Sequence, residues 1–332
     1  MYWIIIICIL FIISLVYCKT CLKNNNSFDE NFDENFDDKF NLNDDSLFVI
    51  YSAGNSGYQE WQSDLLDFSF NESKQPGTLV RIVSDDNNQR KIIKTKFGKT
   101  LITPDYSKIS NDKVWPVMNK PGSMKFFMDS LSTEFKERNK NSTLLFLDPD
   151  MIFINQWDPR DKFKSGQVYG QKWKGYGNKY CVETSIYPEN CPVSDNNVIM
   201  FPFAIKLGDF DSISDDIANF AKNGYLKKNQ WMADMSAFVT AIERKGLENI
   251  PIDNLGLCNN WDNNNDPDAP IMHYCQAIRN IDGKEIWGKR IYQSDYKHGD
   301  IFNKLPDHSQ TTNRVDREVI KMLTKFRNKQ LY

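Results

Sequence analysis

The chain has 332 residues, 40% hydrophobic and 13% aromatic, so it can bury a substantial core as one large α/β domain or two small ones and is not a disordered protein. A formal net charge of -3 and a pI near 5.8 leave no basic stripe, which argues against nucleic acid as a partner. Any phosphorylated ligand must be held by a local field, from a metal or a few placed Lys and Arg side chains.

Residues 1–18 carry a nearly unbroken apolar run from Tyr2 to Cys18, long enough to cross a thin bilayer or to form the core of a signal peptide. The run predicts entry into the secretory route, with a signal anchor in the ER or Golgi membrane as the first expectation. Val16 and Cys18 also fit small-residue cleavage rules, and a cleaved signal would make the protein secreted. Residues 19–46 repeat Phe28-Asp-Glu-Asn, Phe32-Asp-Glu-Asn and Phe36-Asp-Asp-Lys, and their charge predicts a disordered acidic stem. Residues 47–332 make the folded body.

Leu47 to Ala53 is an apolar, β-prone run followed by Gly54-Asn-Ser-Gly57, and Tyr58 to Phe70 then places Trp61, Leu65 and Phe68 at helical spacing. Strand, loop and helix in this order are an α/β beginning, and the ligand crevice of such folds lies outside the carboxyl ends of the strands. A nucleotide base could rest there against Tyr51 or Tyr58, the alternative for either aromatic being simple core or rim packing. Thr78 to Ser84 is the second strand, with Arg81 inside it either at an edge or directed at a ligand. Ser123 to Phe135 reads as a helix with Phe126, Phe127, Leu131 and Phe135 in the core. Pro121 suits its first turn, and Lys120 with the free amides behind it is placed to face a phosphate or a sugar hydroxyl.

Leu144-Leu-Phe-Leu-Asp-Pro-Asp-Met-Ile-Phe-Ile154 sets Asp148 and Asp150 between two short apolar runs, each of strand length. Pro149 fixes φ and donates no hydrogen bond, so the chain turns there and both carboxylates can face one cleft. Hard oxygen ligands at a strand end suit Mg²⁺ or Mn²⁺, which keep open positions for phosphate oxygens. A nucleotide diphosphate is the natural partner of such a site; the alternative is a plain surface turn, which Asp and Pro both favour. Phe163 to Gly177, rich in Gly, Tyr and Trp, reads as a loop suggestive of an acceptor groove.

Asp195 to Phe201 is a further strand, and Trp231 to Ile242 a strong helix with Asp234 on it. That carboxylate lies either on the outer face or at a functional site, because burying it without a partner is costly. His273, one of three histidines, follows Ile271 and Met272 in a β-like run; a lone histidine is more often structural, but beside the acidic pair it is a candidate third metal ligand. The C-terminal part, Thr312 to Gln330, looks like a solvated amphipathic helix. Of the seven cysteines, four lie in the body, and their spacing favours pairing Cys181 with Cys191 and Cys258 with Cys275 over a zinc site. Asn25, Asn71 and Asn141 are glycosylation sequons that fit a lumenal compartment.

The ordered set Tyr58-Gln-Glu-Trp61-Gln62, Asn119-Lys-Pro121, Asp148-Pro-Asp-Met-Ile-Phe153, Asp195-Asn-Asn-Val198, Trp231-Met-Ala-Asp234-Met235 and His273-Tyr274 resembles the plant and algal hydroxyproline O-arabinosyltransferases and their peptidyl serine α-galactosyltransferase relatives. The resemblance spans Leu47 to about Tyr292. It implies one GT-A-like nucleotide-sugar-binding domain with a mixed central sheet, on a single-pass type II membrane protein. It also implies a UDP-sugar donor, a peptide hydroxyl acceptor on hydroxyproline or serine, Mn²⁺ or Mg²⁺, and retention of anomeric configuration. Carried over, Asp148, Asp150 and His273 hold the metal. Asn119 and Lys120 then fall on the segment that faces the donor, and Asp234 with Lys120 assists the chemistry; the strand-end reading adds Tyr51, Tyr58, Gln62 and Asp148 to the expected donor contacts. Two positions depart from the family pattern: Asp234 stands where Glu is expected, and Lys120 where Arg is usual. A galactosyl- or glucosyltransferase acting on another protein or glycan hydroxyl, or an inactive lumenal glycan-binding protein, are the alternatives.

Overall fold

The computed structural model describes residues 46–85, 92, 94–173, 199–228, 232–259, 266–292, 302 and 304–330. The expectations for the apolar run and the stem, for Cys181 and Cys191, and for Asp195 to Val198 lie outside these residues. Among the described residues, no helix is long and apolar enough to cross a membrane.

The strands in chain order are β1 (Leu47–Gly54), β2 (Thr78–Asp85), β3 (Gly98–Pro104), β4 (Lys108–Ser110), β5 (Lys113–Val114), β6 (Thr143–Leu147), β7 (Met151–Phe153), β8 (Gln167–Lys172), β9 (Ile199–Lys206), β10 (Glu248–Ile252), β11 (Gly256–Cys258), β12 (Ile271–His273), β13 (Ile278–Arg279) and β14 (Glu285–Trp287). The helices are α1 (Gly57–Glu72), α2 (Asn119–Asp129), α3 (Thr133–Arg138), α4 (Leu207–Asp211), α5 (Ser214–Lys228), α6 (Ala233–Lys245) and α7 (Arg314–Gln330). The α/β class is as expected, and the large mixed sheet fits a GT-A-like fold. Its order is β10-β8-β9-β6-β1-β2-β3.

In the middle of this sheet β1 pairs in parallel with both β2 and β6, and β2 in parallel with β3. All five residues of β6 are buried, so both of its faces are covered. Each of its large apolar side chains contributes roughly 1.5–3 kcal/mol by leaving water. The other half of the sheet is mixed. β9 runs antiparallel to β6 and β8, while β10 is parallel to β8. Of the segment expected as an acceptor loop, Gln167–Lys172 instead form strand β8, where Val168, Gly170 and Gln171 are buried, and residues 174–177 lie outside the described residues.

Arg81 is neither at an edge nor at the cleft. β2 lies inside the sheet, and the side chain is 3% exposed with Nη1 3.5 Å from Asp64 Oδ1. The single helix expected from Ser123 to Phe135 is two helices, α2 and α3, with Ser132 capping the second through a hydrogen bond from Phe135 N. Phe127, Leu131 and Phe135 are buried, while Phe126 is half-buried.

A second, three-stranded sheet has the order β11-β12-β7. Its core unites Trp61, Leu65 and Phe68 of α1 with Ile152, Met272, Tyr274 and Trp287, and with Val319 and Leu323 of α7. The C-terminal helix is thus docked by an apolar stripe and is not merely a solvated end. Asn71 and Asn141 are both exposed.

Candidate functional site

A cleft of about 850 Å³ opens outside the carboxyl ends of β1 and β6. At this point the chain leaves β1 towards β2 on one side, and β6 stands on the other, which is the switch point where open α/β sheets bind ligands. The strand ends deliver Ser52, Gly54 and Asp148, α1 delivers Tyr58 and Gln62, and α2 delivers Asn119 and Lys120.

Asp148 leaves β6 and Asp150 enters β7 across a turn closed by Met151 N donating to Asp148 O at 3.1 Å. β7 pairs antiparallel with β12 in a register that sets Met151 opposite His273. Tyr274 N then donates to Asp150 O at 3.2 Å. Strand pairing, rather than any loop, thereby brings a histidine 123 positions later to the acidic turn. Ligand atoms of Asp148, Asp150 and His273 all lie within 4.8 Å of one another, with His273 Nε2 3.2 Å from Asp150 Oδ2. Two carboxylates and an imidazole at the floor of a polar cleft fit Mn²⁺ or Mg²⁺. His273 Nδ1 is buried and has no hydrogen-bond partner among the described residues. The ring is oriented by strand register instead of by the outer hydrogen bond that metal-bound imidazoles usually make.

A Cys258–Cys275 disulfide lies against the same histidine, since Cys258 pairs with His273 across β11 and β12. Cys258, His273 and Cys275 also lie close enough together to suggest a metal group, but with both sulfurs in that bond only His273 of these three remains available to a metal.

Charge in the cleft is arranged in pairs. Lys120 Nζ stands 2.8 Å from Asp148 Oδ1 and 2.8 Å from Asp234 Oδ2, and 4.2 Å from the centre of the Phe201 ring. Burial pulls its pKa down, but the two carboxylates outweigh that and hold it above the usual lysine range. Asp234 sits in the first turn of α6, where the helix dipole favours a carboxylate, and is 6% exposed. The helix is closed at its other end by Gly246 at φ 74°, a left-handed conformation that glycine adopts freely.

Asp150 is paired with Lys289, a residue that sequence reasoning does not single out. Burial pushes the Asp150 carboxyl up, yet Lys289 and His273 together hold it well below the usual carboxylate range. Lys289 follows Trp287, 1% exposed in the core, and Gly288. A buried aromatic two residues before a Lys-Arg pair is the one available signal. It acquires meaning only once Trp287 is seen against Trp61, 6.1 Å between ring centres.

The remaining expected donor contacts divide. Tyr58 and Gln62 line the cleft, and Gln62 Nε2 donates to Tyr58 O at 2.7 Å. Burial raises the Tyr58 phenol. Asn119 lines the cleft too, but its Oδ1 accepts from Tyr106 N at 2.6 Å and so fixes the approach to α2. Gly122 allows this packing, because a Cβ there would run into the Tyr106 ring. Tyr51 is a correction. It is 0% exposed, its hydroxyl donates to Asp67 Oδ1 at 2.5 Å, and it is absent from the cleft wall, because β1 alternation turns it into the core.

No family model matches the chain. The chain is 21% identical over 242 residues to the peptidyl serine alpha-galactosyltransferase of Arabidopsis thaliana, a match covering 69% of this chain and 30% of that protein. The chain thus spans less than a third of that relative's length, and the similarity supports a distant glycosyltransferase-like relationship.

Proposed function

We propose that the protein is a metal-dependent glycosyltransferase that moves a sugar from a UDP-sugar to a hydroxyl of a peptide, with retention of configuration, in the secretory pathway. The observation that carries this reading is the convergence of Asp148, Asp150 and His273 beside Lys120 and Asp234 at the carboxyl ends of parallel strands. The peptide acceptor rests on the similarity to a peptidyl serine galactosyltransferase.

Asp148, Asp150 and His273 would hold Mn²⁺ or Mg²⁺, whose charge would stabilise the departing diphosphate. Tyr58, half-buried on the cleft wall, offers an aromatic face to the uracil, and Gln62 lies one helical turn further on, donating to the Tyr58 backbone carbonyl. Lys120 keeps Asp148 and Asp234 together against their mutual repulsion and adds positive charge near the leaving group. Asp234 then either orients the acceptor hydroxyl or stabilises the oxocarbenium-like sugar. As the C1–O bond to phosphate breaks, the acceptor oxygen bonds to C1 on the same face and its proton passes to the departing phosphate.

The test is donor hydrolysis by the purified protein, with Mn²⁺ and a panel of UDP-sugars, reading free UDP. Release with one sugar, lost on chelation, is the expected result and names the donor. Silence across the panel, with no UDP binding by calorimetry, overturns the assignment in favour of a glycan-binding protein.

A further inference from the structure

Each carboxylate of the candidate metal site already holds a lysine. Asp148 is paired with Lys120, and Asp150 Oδ2 with both Lys289 and His273 Nε2. The two lysines are not equivalent. Lys120 has a second carboxylate, Asp234, at 2.8 Å and keeps that partner if Asp148 turns to a metal. Lys289 forms its ion pair with Asp150 through Oδ2, the same oxygen that His273 Nε2 approaches at 3.2 Å, so a cation held by Asp150 and His273 would compete with the ammonium for that oxygen. Its backbone is anchored by the buried Trp287 two residues earlier, which keeps the side chain on the cleft wall. Its side chain is 13% exposed, and an ammonium deprived of its carboxylate in such a place is costly.

Building on the proposed donor and metal, we infer that Lys289 is a cation-displaced diphosphate clamp. Without ligand it neutralises Asp150. When a divalent cation takes Asp150, the ammonium is released towards the cleft, where diphosphate oxygens become its new partner, with Arg290 beside it on the cleft wall. Metal and diphosphate therefore bind with positive coupling, because each removes the cost the other would carry alone. The metal by itself binds weakly, and by reciprocity the diphosphate by itself binds weakly too.

The experiment measures Mn²⁺ binding to the full chain by electron paramagnetic resonance of free Mn²⁺, and UDP binding by calorimetry at saturating Mn²⁺. Lys289→Met is expected to tighten Mn²⁺ binding about tenfold in the absence of nucleotide and to weaken UDP binding about tenfold or more. Lys289→Gln, which also loses the charge, is the second variant should the first fail to fold, and it must move both affinities the same way. Unchanged or weaker Mn²⁺ binding in the folded variant overturns the clamp. Asp150→Ala, run alongside, separates the two layers. If it abolishes Mn²⁺ binding while the Lys289 variants change nothing, the clamp alone fails. If Asp150→Ala leaves Mn²⁺ binding intact, the metal assignment fails and the clamp with it.

Discussion

Two hollows of this protein are built from the same kinds of residue and behave in opposite ways. The cleft gathers Asp148, Asp150 and Asp234 with Lys120 and Lys289. A smaller hollow of about 330 Å³, lined by later turns of α1, gathers Asp64 and Asp67 with Lys94, Lys96 and Lys329, and has Arg81 buried behind it. Burial raises a carboxyl in both places. In the cleft the contacts with Lys289 and His273 win, and Asp150 is held well below its ordinary range. In the smaller hollow burial wins, because Arg81 stands 3.5 Å from Asp64 and Asp67 is a second acid nearby, so Asp64 is pushed up to about 6. The difference shows what a ligand site requires beyond charge. Its carboxylates face lysines mounted on separate elements, Asp150 among them held ionised by Lys289 and His273, and all of them converge on open volume.

Substitutions in the cleft break this contrast most severely. Asp150→Ala removes a ligand and leaves Lys289 without its partner, and a fall in donor hydrolysis of about 1,000-fold, roughly 4 kcal/mol in barrier, is expected together with loss of Mn²⁺ binding. Lys120→Met leaves Asp148 and Asp234 facing each other across the space it filled. We expect about a 100-fold loss of kcat/KM and a lower melting temperature, with Lys120→Arg recovering part of both. Asp234→Asn keeps the shape and removes the charge. About a 30-fold fall in kcat is expected at saturating substrates, on the order of 2 kcal/mol, while donor KM stays within a few-fold. Full turnover by this variant would remove Asp234 from the chemistry.

The contrast also explains which parts of the molecule are legible in the amino-acid sequence. Runs such as Leu144 to Leu147 and the Trp61, Leu65 and Phe68 stripe carry their own periodicity, so the first strands and α1 can be read directly. The acidic turn is legible because Pro149 between two aspartates permits little else. Strand β8 is not, since Gly170 and two glutamines hide a sheet segment whose burial comes from Ile199 and its neighbours. Lys289 is hidden for a different reason. Its partner lies 139 positions away, and only the packing of Trp287 on Trp61 carries it there. Tyr51 misleads for a third reason: alternation along β1 decides which face a side chain takes, and a one-residue offset reverses the answer.

The smaller hollow sharpens the comparison through pH. An acid whose folded pKa lies above its unfolded value binds more protons when folded, so its contribution is present below about pH 4 and is lost as pH rises through about 6. For Asp64 the loss is on the order of 3 kcal/mol at most. Asp64→Asn is expected to flatten the decline in melting temperature between pH 4 and pH 7. Asp67, raised by burial, and Asp316, raised to about 6, retain the remaining slope. An unchanged slope would mean that Arg81 keeps Asp64 ionised after all.

Tyr51→Phe gives the smallest effect and divides the two hollows most cleanly. The ring stays in the core, and only the hydroxyl that donates to Asp67 at 2.5 Å is lost. Asp67 loses that donor but keeps a hydrogen bond from Thr95, so a cost of about 1–2 kcal/mol in denaturant unfolding is expected. Donor KM should not move, because β1 directs this side chain away from the cleft. Tyr58→Ala supplies the counterpart, with donor KM raised about tenfold through the lost aromatic face and stability little altered, since Tyr58 is only half-buried. If KM rose for Tyr51 and not for Tyr58, the donor would lie on the other side of α1, and the smaller hollow would be the functional one.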